Sequence, residues 1–474
     1  MLLGEMLRVA LPLLARQTGR WALAPSTEPY PSANPNDPLK AHDDPATDAR
    51  DGILMRDGGH FEAEFASGAE AFAAAAGQLL GRKTPGLRYS ISVDNVEHHK
   101  SDVHLCTELP VLAPCEWTGR GLALEIIEQG DDRPAVALDV ARRHEAARRS
   151  EGRTAQDLAS LLGMTTKLRT LDCPQDLEDL VGSGYLALIH ADGNGVGSAA
   201  STKTREFERA WFFHRNRVLL RRSLRTAIDA HCPDTGQAPL ILLMLGGDDL
   251  LLVCRADIAL PFVVTLCEQL AELQREDANG FELTLGVRVV VANATIPIHR
   301  LYEAAEQLAS SAKRRFRAAK DADLVGRSVV DWAVNTAAWV DDPEEARRRA
   351  WLRGSSQDLR VLSQRPVDVL GQGLGSLQGL VEGAKKLEKA PRSQLRYLVD
   401  QLPRGRALSE LAFAELSTEA RSALEEAGVK APWRRAPNNG AWLTELLDLV
   451  EIAEVARLAG SVERSIRETE AADG

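Results

Sequence analysis

Two stretches decide the fold of this chain: residues 185–198 read YLALIHADGNGVGS, and residues 240–254 read LILLMLGGDDLLLVC. The first is a near-continuous apolar run, typical of a buried central strand, that ends at Asp192 and continues into a glycine-rich loop. The second consists of two apolar runs joined by Gly-Gly-Asp-Asp, which predicts a hairpin of two buried strands. Helical patterns follow both stretches. Together they predict an α/β domain with carboxylates at the ends of its strands.

Three carboxylates, those of Asp192, Asp248 and Asp249, are predicted to meet at one edge of this sheet. Isolated carboxylates are costly to bury at the end of an apolar strand, and divalent cations would offset that cost. Oxygen ligands suit Mg²⁺ or Mn²⁺, with substrate phosphates completing the coordination shell. We therefore expect two metal ions here, which would activate an attacking hydroxyl and stabilise a pyrophosphate leaving group.

The loop after Asp192 is predicted to bind phosphate, because glycine lets the backbone approach closely and N–H groups before a helix favour an anion. It is neither a P-loop nor a dinucleotide fingerprint, since it has no G-K-[ST] and no G-x-G-x-x-G. The predicted nucleotide-binding residues are Gly193, Asn194, Gly195, Gly197, Ser198, Gly246, Gly247 and Lys313. Two alternatives stay open: Lys313 is a solvated helix charge, and Asn194 caps the next helix.

The chain contains an internal repeat. Residues 52–65 (GILMRDGGHFEAEF), a helix and LRYSISV parallel residues 240–253, a helix and LTLGVRVVV. The first copy has no carboxylate after its glycine pair, so we expect it to be degenerate. The chain also starts on what would be the first helix of that copy. Its opening strand is therefore expected to be lost or to lie upstream of the given start.

Composition limits the class of protein. The chain has 474 residues, which predicts several domains, and 57 Lys and Arg against 68 Asp and Glu, a net charge of −11. An acidic chain argues against a non-specific nucleic-acid binder. Six Cys in such a length are no disulfide framework, which favours a reduced, cytoplasmic protein. No apolar run approaches the ~18–20 residues that a membrane span needs.

The motifs carry a resemblance. LALIHADGNGVG, LMLGGDDLLLV and LGVRVVVANATIPIHRLYEAAEQLASSAKR are similar to the second palm domain of the large, polymerase-like subunit of type III CRISPR effector complexes. That palm also resembles the GGDEF diguanylate cyclases and class III nucleotide cyclases. The good match spans roughly residues 182–330, and the remainder follows the family's order of palm, palm and helical domain more loosely.

The resemblance implies a synthetase that joins ATP into cyclic oligoadenylate, with 3′–5′ links and release of pyrophosphate. Carried over to this sequence, Asp192, Asp248 and Asp249 would bind the metals with help from the Gly193 carbonyl, and Lys313 would pair with phosphate. RNA and other subunits of a defence complex are candidate partners, and the oligomeric state is left open.

The chain also departs from the family. His42-Asp43 has no His before it, so an HD nuclease domain is not expected. Cys106 and Cys115 lie where the family often has a zinc element, but without paired spacing, which makes metal binding there doubtful.

The sequence thus predicts an α/β (α+β) fold with two ferredoxin-like palm units and an all-α C-terminal domain. The predicted limits are 1–95 for the degenerate first palm, 96–180 for a linker or helical insert, 181–335 for the second palm and 336–474 for the helical domain. The leading hypothesis is a nucleotidyltransferase that makes a cyclic or linear oligonucleotide signal in antiviral defence. The alternative is a nucleotide-binding sensor or scaffold subunit without turnover.

Overall fold

The computed structural model of the chain shows two compact units. One comprises residues 1–161 and 200–218, and the other comprises residues 162–199 and 219–474. The structure describes residues 6–18, 20–21, 52–56, 59–84, 87, 89–94, 96–100, 113–119, 121–128, 132–149, 167–174, 176–182, 184–203, 206–276, 282–321, 327–335, 351–354, 358–436 and 440–458. Among these residues, no helix combines the length and the apolar character that crossing a bilayer requires.

The described part of the first unit consists of short strands, three complete helices and the beginning of a longer helix that continues into the second unit. After a π-helical segment, Met6–Ala10, its elements are α1 (Leu11–Thr18), β1 (Arg20–Trp21), β2 (Ile53–Met55), β3 (Glu62–Ala63), β4 (Phe65–Ser67), α2 (Ala69–Lys83), β5 (Ser90–Val93), β6 (Val96–Lys100), β7 (Ala123–Ile126), β8 (Ala135–Ala137) and α3 (Leu138–Arg149). The π-helical segment and α1 bury Leu7, Leu11 and Ala15 against Phe72 and Ala76 of α2.

Each described strand of this unit pairs with one other strand, so these strands form separate two-stranded sheets. Strand β2 pairs with β3, as the repeat predicts, while β1 pairs with β4, β5 with β6 and β7 with β8. The segment LRYSISV, which contains β5, therefore forms a hairpin with the residues after it rather than joining the β2–β3 hairpin. Within the described residues, the first copy of the repeat lacks a continuous palm sheet.

The second unit carries the longer strands. Its elements are α4 (Lys167–Thr170), α5 (Leu177–Val181), β9 (Tyr185–Gly193), α6 (Val196–Ser201), α7 (Glu206–His231, of which residues up to 218 fall in the first unit), β10 (Leu240–Gly246), β11 (Asp249–Arg255), α8 (Ala256–Glu276), β12 (Leu285–Asn293), α9 (Ile298–Asp321), β13 (Val329–Asn335), β14 (Leu352–Arg353), β15 (Arg360–Val361), β16 (Val367–Asp368), α10 (Leu377–Lys386), α11 (Arg392–Gln401), α12 (Arg406–Ala414), α13 (Thr418–Glu426), β17 (Arg434–Arg435), β18 (Trp442–Leu443) and α14 (Leu446–Ala456).

A six-stranded sheet in the order β10-β11-β9-β12-β13-β16 forms the centre of this unit. Its first four strands and two helices follow the order β9-α7-β10-β11-α8-β12, with β9 and β11 inside the sheet, which is the ferredoxin-like arrangement of a palm. Neighbouring strands are antiparallel except for β12 and β13, which are parallel and connected through α9. The predicted fold class, α/β palm units followed by a helical region, is confirmed. The predicted domain limits remain predictions.

Both faces of the sheet are apolar over most of their length. On one face, Leu186, Leu188 and Val290 pack with Leu301 and Leu308 of α9. The alternate residues point to the other face and are also completely buried, and α8 packs against the same strands. Strand β9 was predicted as a central strand because its apolar run is nearly continuous, and burial on both faces is the physical reason for that run.

The C-terminal region is mainly helical, with α10 and α14 packed on each other and on α8. It also contains a small sheet in the order β14-β15-β18-β17, in which each strand has two residues. An all-α prediction misses such strands because two residues leave no recognisable alternation. Strand β16 joins the palm sheet by pairing with β13.

A buried ionic network joins this region to the palm. Arg365, whose side chain is 1% exposed, donates to Asp448 over 2.9 Å and pairs with Glu451 over 2.6 Å. Its guanidinium group lies over the rings of Trp332 and Trp351, and the Trp332 indole N–H donates to Glu451. Since Trp332 belongs to β13 and both acids belong to α14, the network fixes the helical region on the edge of the sheet.

We expect Asp448→Asn to lower the free energy of unfolding by about 3 kcal/mol, because it removes one carboxylate from a buried arginine and leaves Glu451 alone to balance the charge. The matched control is Glu410→Gln, which makes the same chemical change in an exposed ion pair with Arg406 and should cost less than about 1 kcal/mol. Urea denaturation of both variants measures the difference. Equal losses would contradict a structural role for the buried network.

Candidate active site at the end of strand β9

Asp192 and Asp249 meet at one end of the palm sheet. In the register of the strands, Ala191 pairs with Leu250 of β11, so the next residue of β9, Asp192, adjoins Asp249. The two carboxyl groups share a hydrogen bond. Asp192 lies opposite Gly286 of β12 on its other side. Strand pairing thus brings two of the three predicted carboxylates into contact.

Asp248 reaches the same place through the hairpin turn. Gly246 pairs with Asp249 and closes a two-residue turn in which Gly247 has a φ of 59°, a left-handed conformation that glycine adopts without strain. The turn packs Asp248 against Gly193, where an added Cβ would lie 2.5 Å from Asp248 Oδ2. Only glycine fits at Gly193, and this close approach places the third carboxylate beside the end of β9.

The closeness of these groups perturbs their ionisation. Burial, the hydrogen bond with Asp192 and the negative charges of Asp192 and Asp248 together raise the pKa of Asp249 to about 7. The positive charge of Arg288 acts in the opposite direction and lowers it. Neighbouring carboxyls whose repulsion raises a pKa in this way are a common sign of a functional site, because the fold keeps them together at an energetic cost.

The glycine-rich loop continues from β9 into α6. The side-chain amide of Asn194 donates to Thr284 Oγ over 3.2 Å, and its backbone N–H donates to the Thr284 carbonyl over 2.8 Å. Asn194 is buried and ties the loop to Thr284, the residue just before β12. Gly195, Gly197 and Ser198 are exposed, so the part of the loop open to a ligand comes after Asn194.

Two predicted positions are not fully described. Lys313 lies on α9, but its side chain is outside the described residues. Cys106 is outside them as well, whereas Cys115 is buried among apolar side chains that include Val136 and Val140. Metal binding by these two cysteines, which their spacing makes doubtful, is not tested by the described residues.

Sequence reasoning missed a buried cation at this site. Arg288 of β12 is 2% exposed, and its Nη2 lies 3.6 Å from Asp192 Oδ2. Its Nη1 lies 3.2 Å from Nδ1 of His190 and 3.6 Å from Glu306 Oε1. The sequence did contain a signal for this residue. Arg288 is a charged residue inside the run LGVRVVV, which otherwise has the apolar pattern of a buried strand.

His190 is part of the same cluster rather than a lone core residue. Its Nδ1 lies 3.0 Å from Glu306 Oε1, and its ring stacks on Tyr302 at a centroid distance of 5.6 Å. Burial lowers the pKa of His190, and the charge of Arg288 lowers it further. The imidazole is therefore held neutral beside a permanent cation.

The carboxylates of this site can be compared with the ligands that a divalent metal ion requires. In the described part of the chain, no three His, Cys, Asp or Glu side chains form a ready-made metal site. A carboxylate pair whose mutual repulsion raises the pKa of Asp249 fits a different mode, in which a cation offsets that repulsion and substrate phosphates and water supply the remaining ligands. The residues fit Mg²⁺ or Mn²⁺ on these terms.

Comparison with known proteins supports the identity of this domain. Residues 185–322 match the family model of the Cas10/Cmr2 second palm domain. The predicted resemblance to the polymerase-like subunit of type III CRISPR effector complexes is confirmed for this palm. A search of curated proteins found no match.

Several solved structures are similar to this chain. A Csm1-Csm4 cassette in complex with cA4 is 14% identical, with a TM-score of 0.44, over 96% of this chain and 65% of that chain. A Csm1-Csm4 cassette in complex with one ATP is 16% identical, with a TM-score of 0.34, over 58% and 37%. Csm1 in T.onnurineus is 17% identical, with a TM-score of 0.30, over 59% and 40%. The chain thus spans between 37% and 65% of the length of these three chains.

Gly193→Ala tests the close approach of Asp248. We expect a loss of about 1–3 kcal/mol in the free energy of unfolding, because the added methyl group would overlap Asp248 and Val196. Gly197→Ala is the matched control: a Cβ there meets no atom within 4 Å, so the change should stay within about 0.5 kcal/mol. Chemical denaturation measures both. A Gly193→Ala protein as stable as Gly197→Ala would show that the turn does not pack as described.

Asp249→Asn tests the raised pKa of Asp249. Because the folded protein raises the pKa of Asp249 to about 7, ionising this group destabilises the metal-free fold, by an amount that grows from about pH 4 and is complete above about pH 7. In a metal-free buffer, Asp249→Asn should therefore raise the Tm relative to the unchanged protein more at about pH 8 than at about pH 5. The same Tm difference at both pH values would contradict the raised pKa.

Proposed function

We propose that this palm is the catalytic domain of a metal-dependent nucleotidyltransferase, which joins ATP into a cyclic or linear oligonucleotide signal and releases pyrophosphate. The observation that carries the proposal is the meeting of Asp192 and Asp249, with Asp248 alongside, in the segment that matches the Cas10/Cmr2 second palm. A role in CRISPR-type antiviral defence, with RNA or other subunits of a defence complex as partners, is part of the same proposal.

Asp192 and Asp249 are the residues that would hold the metal, with Asp248 and the Gly193 carbonyl next to them. The raised pKa of Asp249 supports this role, because a divalent cation relieves the repulsion between the two carboxylates and leaves both groups ionised. Two bound ions would supply activation of a 3′-hydroxyl and neutralise charge on the leaving pyrophosphate.

The remaining residues would position the nucleotide. The exposed backbone around Gly195, Gly197 and Ser198 would receive phosphate oxygens, since N–H groups of a glycine-rich turn favour an anion. Asn194 would act indirectly by tying this loop to Thr284. Gly246 and Gly247 would leave room for the nucleotide beside the turn, and Lys313 would pair with a phosphate. Catalysis would then come mainly from orientation and charge.

The test is incubation of the purified protein with radiolabelled ATP or GTP and Mg²⁺ or Mn²⁺, followed by chromatography of the products. We expect an oligomeric product and pyrophosphate from ATP. In Asp248→Ala/Asp249→Ala, the rate should fall by about 100-fold or more, because several kcal/mol of charge stabilisation are lost. Asp229→Asn is the control, since it removes a half-exposed carboxylate on α7 of the same domain.

The results of this assay distinguish an enzyme from a nucleotide-binding sensor or scaffold. Metal-dependent ATP binding without product, lost in the double variant, would favour a sensor or scaffold, or an enzyme that requires a partner. If neither product nor metal-dependent nucleotide binding is found, the assignment of the three carboxylates is wrong.

A further inference from the structure

Arg288 is a fixed positive charge inside the proposed metal site. It lies on β12, beside His190 and two residues from Gly286, which pairs with Asp192. Side chains two residues apart on a strand share a face, so Arg288 is on the same face as Asp192. It is 2% exposed, and an arginine so buried retains its charge and must be balanced by acids.

The contacts of Arg288 indicate attraction without a rigid bond to Asp192. The distance from Nη2 to Asp192 Oδ2 is 3.6 Å, longer than a hydrogen bond, and Nη1 is equally far from Glu306 Oε1. Among the residues that the structure describes, Nε has no hydrogen-bond partner. An arginine used only as a structural clamp normally makes two parallel hydrogen bonds to one carboxylate. Here its charge, shared between Asp192 and Glu306, is the main effect on the site.

We propose that Arg288 serves as a built-in cation that takes the electrostatic place of a metal ion in the nucleotide-free site, so that the site takes up divalent metal together with a nucleoside triphosphate and not alone. The inference rests on the proposed function, because it concerns the same carboxylates. It deepens that function by assigning a residue that controls when the metal binds.

Arg288 opposes the binding of a metal ion by itself, and a nucleoside triphosphate can overcome that effect. Arg288 offsets the negative charge that would otherwise attract a cation, and it repels a cation that arrives at Asp192. A nucleoside triphosphate carries its own negative charge and its own oxygen ligands. It can therefore bring a metal ion into a site that, in the described residues, has no three-ligand cage.

Replacing Glu306 provides a second test of the proposal, with the opposite expected effect on metal affinity. It neutralises part of the Arg288 charge from α9, and its side chain is 47% exposed, so that its replacement is compatible with folding. Removing Glu306 takes away a negative charge that offsets Arg288, whereas removing Arg288 takes away a positive charge next to Asp192. The two changes should shift metal affinity in opposite directions.

The experiment is a titration with Mn²⁺ in which free Mn²⁺ is measured by electron paramagnetic resonance, without nucleotide and with a non-hydrolysable ATP analogue. For the unchanged protein, we expect weak binding of Mn²⁺ alone and clearly tighter binding with the analogue. Arg288→Met should tighten nucleotide-free binding by about tenfold or more, because a unit charge beside the ion is removed. Glu306→Gln should weaken it several-fold, and Arg288→Lys, which keeps the charge, should resemble the unchanged protein.

Matched controls come from the exposed pair on the same helix. Arg300→Met and Glu303→Gln make the same chemical changes in an ion pair whose side chains are both exposed, and they should leave Mn²⁺ affinity unchanged. Circular dichroism establishes that each variant is folded. If Arg288→Met does not fold, the shift in Glu306→Gln decides.

The possible failures are distinguishable. If Mn²⁺ binds and binding is lost in Asp249→Asn, but folded Arg288→Met binds Mn²⁺ no more tightly than the unchanged protein, the inference about Arg288 is wrong and the metal site stands. Tight Mn²⁺ binding by the unchanged protein without nucleotide would also overturn it. If no form binds Mn²⁺ even with the analogue, the proposed function fails and this inference fails with it.

Discussion

Strand β9 is hydrogen-bonded on both sides, and its register with β11 and β12 decides which side chains meet at the site. Ala191 pairs with Leu250 and Asp192 with Gly286, so the carboxylates of Asp192 and Asp249 adjoin, with Arg288 close behind. A slip of one residue would turn Asp192 into the apolar face and expose Ala191 in its place. The burial of both faces of β9 makes such a slip costly, and the chemistry of the site therefore depends on the packing of the palm core.

The polar groups of this sheet lie where the apolar core ends. Along one face of β9, Leu186 and Leu188 pack under α9, and the next residues on that face are His190 and Asp192. Burying several charges so close to the core is unfavourable unless they balance one another. Arg288 contributes to that balance from between Asp192 and Glu306. Under the proposed role of Arg288, the same positive charge would lower the affinity of the site for cations.

Local patterns carried much of the prediction. The apolar runs predicted β9 and the β10–β11 hairpin, and the glycine pair predicted its turn, because these features depend on neighbours in the chain. Pairings between distant strands were not predictable. Arg288 gained its importance only from the register of β12 with β9, and β5 pairs with β6 although the repeat suggested another partner. Asn194 was assigned to the ligand by its place in the loop, but its amide contacts Thr284, which is 90 residues away in the chain.

Strand β13 links the site to the C-terminal region. Asp331 pairs in register with Arg288 and accepts a hydrogen bond from Ser311 of α9. The next residue, Trp332, is fixed by Glu451 and Arg365. Adjacent residues of β13 are thus bound on opposite faces of the sheet, which holds the strand against sliding. Because β13 is paired along seven residues with β12, which carries Arg288, a shift of β13 would move Arg288 relative to Asp192. The C-terminal helices therefore support the charge balance of the site through strand register.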